Sequence, residues 1–155
     1  MVPQQVREFL DKEGVSYEVL THERAFTAQG VAAALHVSGW ALAKPVILET
    51  ADRRSVMVVL TGAQTVNLEA AARVVGSEVR LATEKEFASR FPGCEAGAEP
   101  PFGNLYGLPV YVDEALRKDP EIVFNGGTHT EAIRMKYGDY ERLVRPIVGR
   151  LAWQP

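Results

Sequence analysis

The sequence predicts a mixed α/β domain of the α+β class, and three observations carry that prediction. Helical apolar stripes interleave with short β-branched segments. Two of those segments are joined by a short polar link that reads as a hairpin. The 155 residues match the size of one domain. With 46% hydrophobic and 24% charged residues, the chain can bury roughly two-thirds of its unfolded surface. Disordered and fibrous classes are therefore excluded. No linker, repeat or low-complexity tract marks a second unit, so we expect one domain over residues 1–155.

Each element has its own signal. Val6, Phe9 and Leu10 share a helical face, with Pro3 suited to the first turn and Gly14 to the stop. Val15 to Val19 alternates like a strand. Thr27 can cap a helix over Ala28 to Leu35 that ends near Ser38-Gly39. Leu42 to Thr50 and Ser55 to Thr61 form the expected hairpin, and Pro45, which lacks an N–H, should face outward or sit at a bulge. Leu68 to Val75 reads as a helix closed by Gly76, followed by a strand from Glu78 to Leu81. Thr83-Glu84-Lys85-Glu86 matches a capping box for a helix over Glu84 to Phe91. Leu108 to Val112 and Glu121 to Phe124 read as strands. Asn125-Gly126-Gly127 is a turn signal with Thr128 to Met135 returning. A helix over Asp139 to Val144 ends before Pro146. The apolar residues Leu143, Val144, Ile147, Val148, Leu151 and Trp153 are expected to complete the core or cover a sheet edge, which favours a monomer over a homodimer.

Charge and cysteine content exclude several function classes. With 17 basic and 20 acidic side chains, the net charge of −3 gives no broad basic face for nucleic acid. A local rim drawn from Arg7, Arg24, Lys44, Arg134 and Lys136 remains compatible with that balance. A single cysteine, Cys94, forms no internal disulfide and no thiolate cluster. Three scattered histidines without His-Glu-x-x-His argue against zinc, and we expect neither a metal nor a cofactor. The N-terminus lacks a basic segment followed by an apolar run, and no apolar stretch reaches about 18 residues. The expectation is a cytoplasmic protein without membrane contact.

The candidate chemistry starts from Lys44. An extended reading of Leu42 to Glu49 puts it on one face with Leu42, Val46 and Leu48. A cation on an apolar face costs free energy unless it is paired, bound to an anion or able to reach water. Two readings follow: a lysine whose stem packs while its head reaches solvent, or a cation aimed into a cleft to hold a phosphate, carboxylate or oxyanion. The Gly/Pro run from Pro92 to Asn104 is either a surface turn or a loop whose backbone N–H groups approach a ligand. It is not a nucleotide phosphate loop, because Gly-x-x-x-x-Gly-Lys-Ser/Thr is missing. Cys94 beside Glu95, without a neighbouring histidine, is a poor nucleophile. His129 reads as a cleft histidine or a hydrogen-bonded structural one. Asp113 reads as a partner for a cation or amine, or as a turn cap. Asn125 reads as a recognition group or part of a turn. We expect Lys44 and the Gly97 to Pro101 loop to share a cleft, with the loop supplying backbone donors and Asp113 and His129 at the margin.

These segments together resemble the YbaK family of aminoacyl-tRNA deacylases, related to the editing domain of bacterial prolyl-tRNA synthetase. The likeness spans nearly the whole chain. It rests on Phe26-Thr27-Ala28-Gln29-Gly30-Val31-Ala32, Ala43-Lys44-Pro45-Val46-Ile47, Gly97-Ala98-Glu99-Pro100-Pro101-Phe102-Gly103 and Val123-Phe124-Asn125-Gly126-Gly127-Thr128-His129. Lys44 is similar to the family's essential lysine, and Gly97 with Pro101 to its Gly-x-x-x-Pro loop. The resemblance implies a mixed sheet curled toward a barrel, with helices packed outside. It implies metal-free, substrate-assisted attack of water on the ester of a mischarged tRNA, with Lys44 and Gly97 as catalytic residues. Thr27, Ala98, Pro101, Phe102, Asp113, Asn125, Gly127 and His129 would then contact the 3′-terminal aminoacyl-adenosine. An aminoacyl-tRNA synthetase is the second implied partner. The rival readings are a non-catalytic adaptor binding the tRNA 3′ end or a synthetase, and a cysteine-dependent hydrolase. Pro100 and the segment Gly93-Cys94-Glu95-Ala96 depart from the family pattern and leave the amino-acid preference open.

Overall fold

Five helices surround two open β-sheets in the computed structural model, which describes residues 1–153. In chain order the elements are α1 (Gln4–Lys12), β1 (Tyr17–Thr21), α2 (Ala28–Leu35), β2 (Ala43–Thr50), β3 (Ser55–Thr61), α3 (Leu68–Val75), β4 (Val79–Leu81), α4 (Glu84–Phe87), β5 (Val110–Asp113), β6 (Glu121–Thr128), β7 (Glu131–Lys136), α5 (Tyr137–Val144) and β8 (Ile147–Gly149). One sheet runs β1-β7-β6, antiparallel throughout. The other runs β4-β2-β3-β5-β8, with antiparallel β4/β2 and β2/β3 pairs and parallel β3/β5 and β5/β8 pairs. An isolated bridge from Leu42 to Val123 joins the two sheets at one corner. The mixed α/β class is as expected, and the sheets curl together there without closing into a barrel.

The local chemistry that predicts the elements also ends them. Thr27 accepts a bond from the Gly30 N–H, and Asn67 accepts from Glu69 and Ala70, so α2 and α3 start on side-chain caps. The Thr83–Glu86 capping box forms as expected. Its helix is shorter than the sequence implies: α4 stops at Phe87 and tightens into a 3-10 turn over Ala88–Arg90. Pro92 disfavours helical backbone at Phe91, and that ring turns into the core instead. β4 flanks only Leu48–Thr50 of β2, leaving the edge at Pro45 free of β4, a setting that a residue without an N–H tolerates.

The Asn125-Gly126-Gly127 reading needs correction. These residues do not turn the chain. β6 continues through them to Thr128, with a bulge between Asn125 and Thr128, and reverses only at His129-Thr130. The glycines serve close approach: a Cβ on Gly127, at φ +93°, would lie 2.4 Å from Pro3 Cδ. The freed backbone pairs with the long loop, Glu95 N–H donating to Gly127 O at 2.7 Å and Gly127 N–H to Ala98 O at 3.0 Å.

The main core lies between the sheets and is closed by α1 and α5. It contains Val6, Leu10, Ile47, Met57, Phe102, Phe124, Ile133 and Tyr140. Burying a side chain of the Leu, Ile, Phe or Met kind contributes about 1.5–3 kcal/mol. α3 covers the other face of the larger sheet over Leu48, Val56, Val58 and Leu60, and α2 covers Leu42, Val123 and Ala132. The C-terminal residues divide: Val144 and Leu151 are buried, whereas Ile147 on the edge strand β8 and Trp153 are exposed. Among the described residues no helix is long and apolar enough to cross a membrane.

Candidate functional site

Strand phase places the cation first. Ala43 and Ile47 of β2 join the main core, while Val46 and Leu48 face the α3 side, and Lys44 stands in the second phase. Its Nζ is half-buried and donates to the Gln64 backbone carbonyl at 2.6 Å. Burial lowers the ammonium's pKa from the ordinary lysine value. Among the described residues it has no ion pair with a carboxylate. A lysine ammonium has three donors; Gln64 takes one.

That carbonyl is itself held from beneath. Gln64 is 7% exposed; its Oε1 accepts from Thr61 N–H at 3.0 Å and its Nε2 donates to Asp113 Oδ2 at 3.0 Å. Asp113, at 1% exposure, also accepts from Ala115 N–H, Leu151 N–H and Ala152 N–H at 3.0, 2.8 and 3.2 Å. Its carboxylate is thus occupied in tying β5 to the C-terminal segment. It acts beneath Lys44 through Gln64 rather than at the cleft margin.

The Gly/Pro loop contributes Gly97 and Glu99 to the cavity that Lys44 also lines. Tyr140, fully buried on α5, donates its hydroxyl to Pro101 O at 2.6 Å and anchors the loop's far end. Gly97 takes φ +86°, and a Cβ there would lie 3.2 Å from Glu84 Oε1 and 3.5 Å from His129 Cε1. The Gly97 and Ala98 N–H groups are spent within the loop, contrary to the free backbone donors expected at this point. Gly97 N–H donates to Glu99 Oε1 and Oε2 at 3.1 and 2.8 Å, and Ala98 N–H to Glu95 O at 3.0 Å. A positive φ turn followed by a carboxylate two residues on closes its own hydrogen bonds, so this part of the loop presents acceptors. Glu99 is 6% exposed; burial pushes its carboxyl up, against the pull of the Gly97 N–H.

Lys44, Gly97 and Asn125 line one cavity of about 330 Å³, together with Phe26, Ala28, Ile47, Glu84, Phe87 and Glu99. His129 borders it. Its Nε2 donates to Ala96 O at 2.8 Å, since a carbonyl only accepts, and its ring stacks with Phe26 at 4.6 Å between centroids. Arg24 sits 5.8 Å above that exposed Phe26 ring and pairs with Glu95 at 3.4 Å. The remaining expected contacts lie behind the wall. Thr27 caps α2. Ala98 and Phe102 are fully buried, Phe102 among Phe9, Phe124 and Tyr140. The Pro101 carbonyl and the Gly127 backbone hold the loop in place. The basic rim does not gather: Arg134 and Lys136 lie in a separate groove with Glu18 and Glu121.

Cys94 is half-buried, with Sγ 3.9 Å from the Tyr106 hydroxyl, and burial raises its thiol pKa. That keeps the thiol protonated and speaks against a nucleophile. Among the described residues no group of three or more His, Cys, Asp or Glu side chains could hold a metal ion. Sequence reasoning missed Gln64, Glu84 and Glu99. For Glu99 a signal existed, an acid inside the Gly97–Pro101 loop; Gln64 and Glu84 carried none.

Comparison with known proteins bears on the family and the fold. The sequence model of a family described as aminoacyl-tRNA editing domain matches residues 22–143. A solved structure described as a candidate trans-editing enzyme for prolyl-tRNA synthetase superposes with a TM-score of 0.84 at 25% identity, covering 97% of this chain and 96% of that one. A scaffold protein used for epitope backbone grafting gives a TM-score of 0.85 at 25% identity, covering 97% of each chain. A hypothetical protein gives a TM-score of 0.88 at 21% identity, over 97% of this chain and 100% of that one, a likeness of fold alone. A search of curated proteins finds no match.

Proposed function

The chain belongs to the aminoacyl-tRNA editing domain family, and from that premise we propose that it is a trans-acting deacylase hydrolysing the ester of mischarged tRNA. The observation that carries the reading is the shared cavity. Lys44 from β2 and Gly97 from a loop more than 50 positions away line one small pocket. Its volume, about 330 Å³, suits an aminoacyl group and its ribose attachment rather than a large ligand.

In this reading residues 1–155 act as one deacylase domain. The 3′-terminal aminoacyl-adenosine enters past Phe26, and Lys44 offers its two remaining donors to a backbone phosphate oxygen or to the developing oxyanion. An ammonium drawn into a half-buried site, without a carboxylate partner, is a stronger anion ligand than one in water. Water attacks the ester carbon, its proton passes to the departing ribose oxygen, and the neighbouring ribose hydroxyl assists. The ester is already activated, so orientation and charge stabilisation replace a nucleophile–base pair. The Gly97 N–H is committed to Glu99, which leaves Lys44 as the protein's principal oxyanion donor. The absent Cβ at Gly97 keeps the neck open between Glu84 and His129.

The test is release of amino acid from tRNAs mischarged with Ala, Ser and Cys, using the purified protein. Turnover on at least one species is expected. No turnover on any of them overturns the hydrolase reading, and tight synthetase association without hydrolysis would replace it with the adaptor.

A further inference from the structure

The cavity lining is of two kinds. Lys44 supplies a cation whose one hydrogen bond goes to a carbonyl. The loop side collects acceptors: the Glu99 carboxylate, Glu84, and Asn125 Oδ1, a buried atom without a partner. Glu84 stands close enough to Glu99 to raise its carboxyl pKa further. A buried acceptor without a donor is costly, and Asn125 Oδ1 lines the same space as the Glu99 and Glu84 carboxylates. A group with several donors and no acceptor, carrying positive charge, answers all of them; an ammonium has this character.

We propose that Glu99, supported by Glu84 and Asn125, receives the α-ammonium of the aminoacyl group, making the pocket selective for esters with a free amine. The identity of the amine rests on the deacylase reading above. The substrate then lies with its ammonium at Glu99 and its ester carbonyl oxygen toward Lys44, so acceptor and donor groups orient it in one sense. An N-acylated ester, such as a peptidyl or formylated aminoacyl end, has lost that charge and carries bulk where the carboxylate stands. Glu99 also clamps Gly97, so the loop that shapes the neck and the group that reads the amine are one device.

The experiment uses 3′-alanylamino-3′-deoxyadenosine, whose amide resists hydrolysis, its N-acetyl derivative, and the seryl pair. Each is titrated into the full chain while the Gly97 and Glu99 amide resonances are followed by NMR. The free-amine compounds are expected to shift these resonances and to bind about tenfold or more tighter than their acetylated forms. Glu99→Gln keeps an acceptor for the Gly97 N–H and is expected to erase that preference. Glu84→Gln, an exposed position, is expected to reduce it and serves if Glu99→Gln does not fold. Equal binding of the acetylated forms, an unchanged preference in both variants, or no free-amine binding overturns the proposal. The mischarged-tRNA panel reports separately: amine preference without turnover removes only the deacylase reading, and turnover without amine preference removes only this one.

Discussion

Replacing Lys44 separates catalysis from stability. In the folded protein its ammonium makes one hydrogen bond, to Gln64 O at 2.6 Å. Burial opposes its charge, as the direction of its pKa shows. Loss of a charged hydrogen bond and relief of that desolvation work against each other, so Lys44→Ala should change stability by about 1 kcal/mol or less. For a chain of this length that is a Tm shift of about 2–4 °C. In the proposed mechanism the same ammonium faces developing negative charge in the transition state, and removal of one such donor costs about 10²–10³ in rate. Lys44→Met keeps most of the stem while removing the charge, so it should lose as much activity with an even smaller change in Tm. The assay is single-turnover deacylation of whichever mischarged tRNA the wild type accepts, with thermal unfolding on the same samples. If both variants retain activity within about tenfold of wild type, or lose it only alongside a collapse in Tm, the assignment of Lys44 to the chemistry is wrong.

Other substitutions address the supports. Gln64→Ala strips the buried Thr61 N–H of its acceptor and Asp113 of one of its four donors, and should destabilise by about 2–4 kcal/mol in urea unfolding. It should also slow deacylation by the remaining folded protein, because the turn that positions Lys44 loosens; unaltered kcat at full folding would refute that linkage. Raising pH should erode activity through Lys44, which loses its cation at a pH below the ordinary lysine range because burial favours the neutral form. The check is a pH profile corrected for hydroxide-driven ester loss, in which Lys44→Arg moves the alkaline limb upward. Gly127→Ala places a methyl 2.4 Å from Pro3 Cδ at a positive φ and should cost about 2–4 kcal/mol in urea unfolding. A wild-type urea midpoint would show that the bulge is not needed.

The sequence alone determined the periodic parts of this protein. The stripe of Val6 and Leu10, the Thr27 and Thr83 caps, and the β-branched pair around residues 51–54 are local signals, so helices and the hairpin were legible from neighbours a few positions apart. The misplaced cation was legible for the same reason, since alternation along one strand is enough to set Lys44 against its apolar phase. Tertiary structure decided what lies opposite it. Whether Asn125-Gly126-Gly127 turns or bulges depends on Pro3 and the Gly97 loop packing against it, contacts more than 25 positions away. Asp113 looks alike in sequence whether it faces a cleft or four buried donors, because the donors come from residues 64, 115, 151 and 152. That Glu99 and Lys44 line one cavity depends on the Gly97 N–H folding back onto the Glu99 carboxylate and on β2 lining the same space as that loop. Local hydrogen bonds and periodicity are written along the chain; the polarity of a cavity depends on which distant groups have already spent their donors on one another.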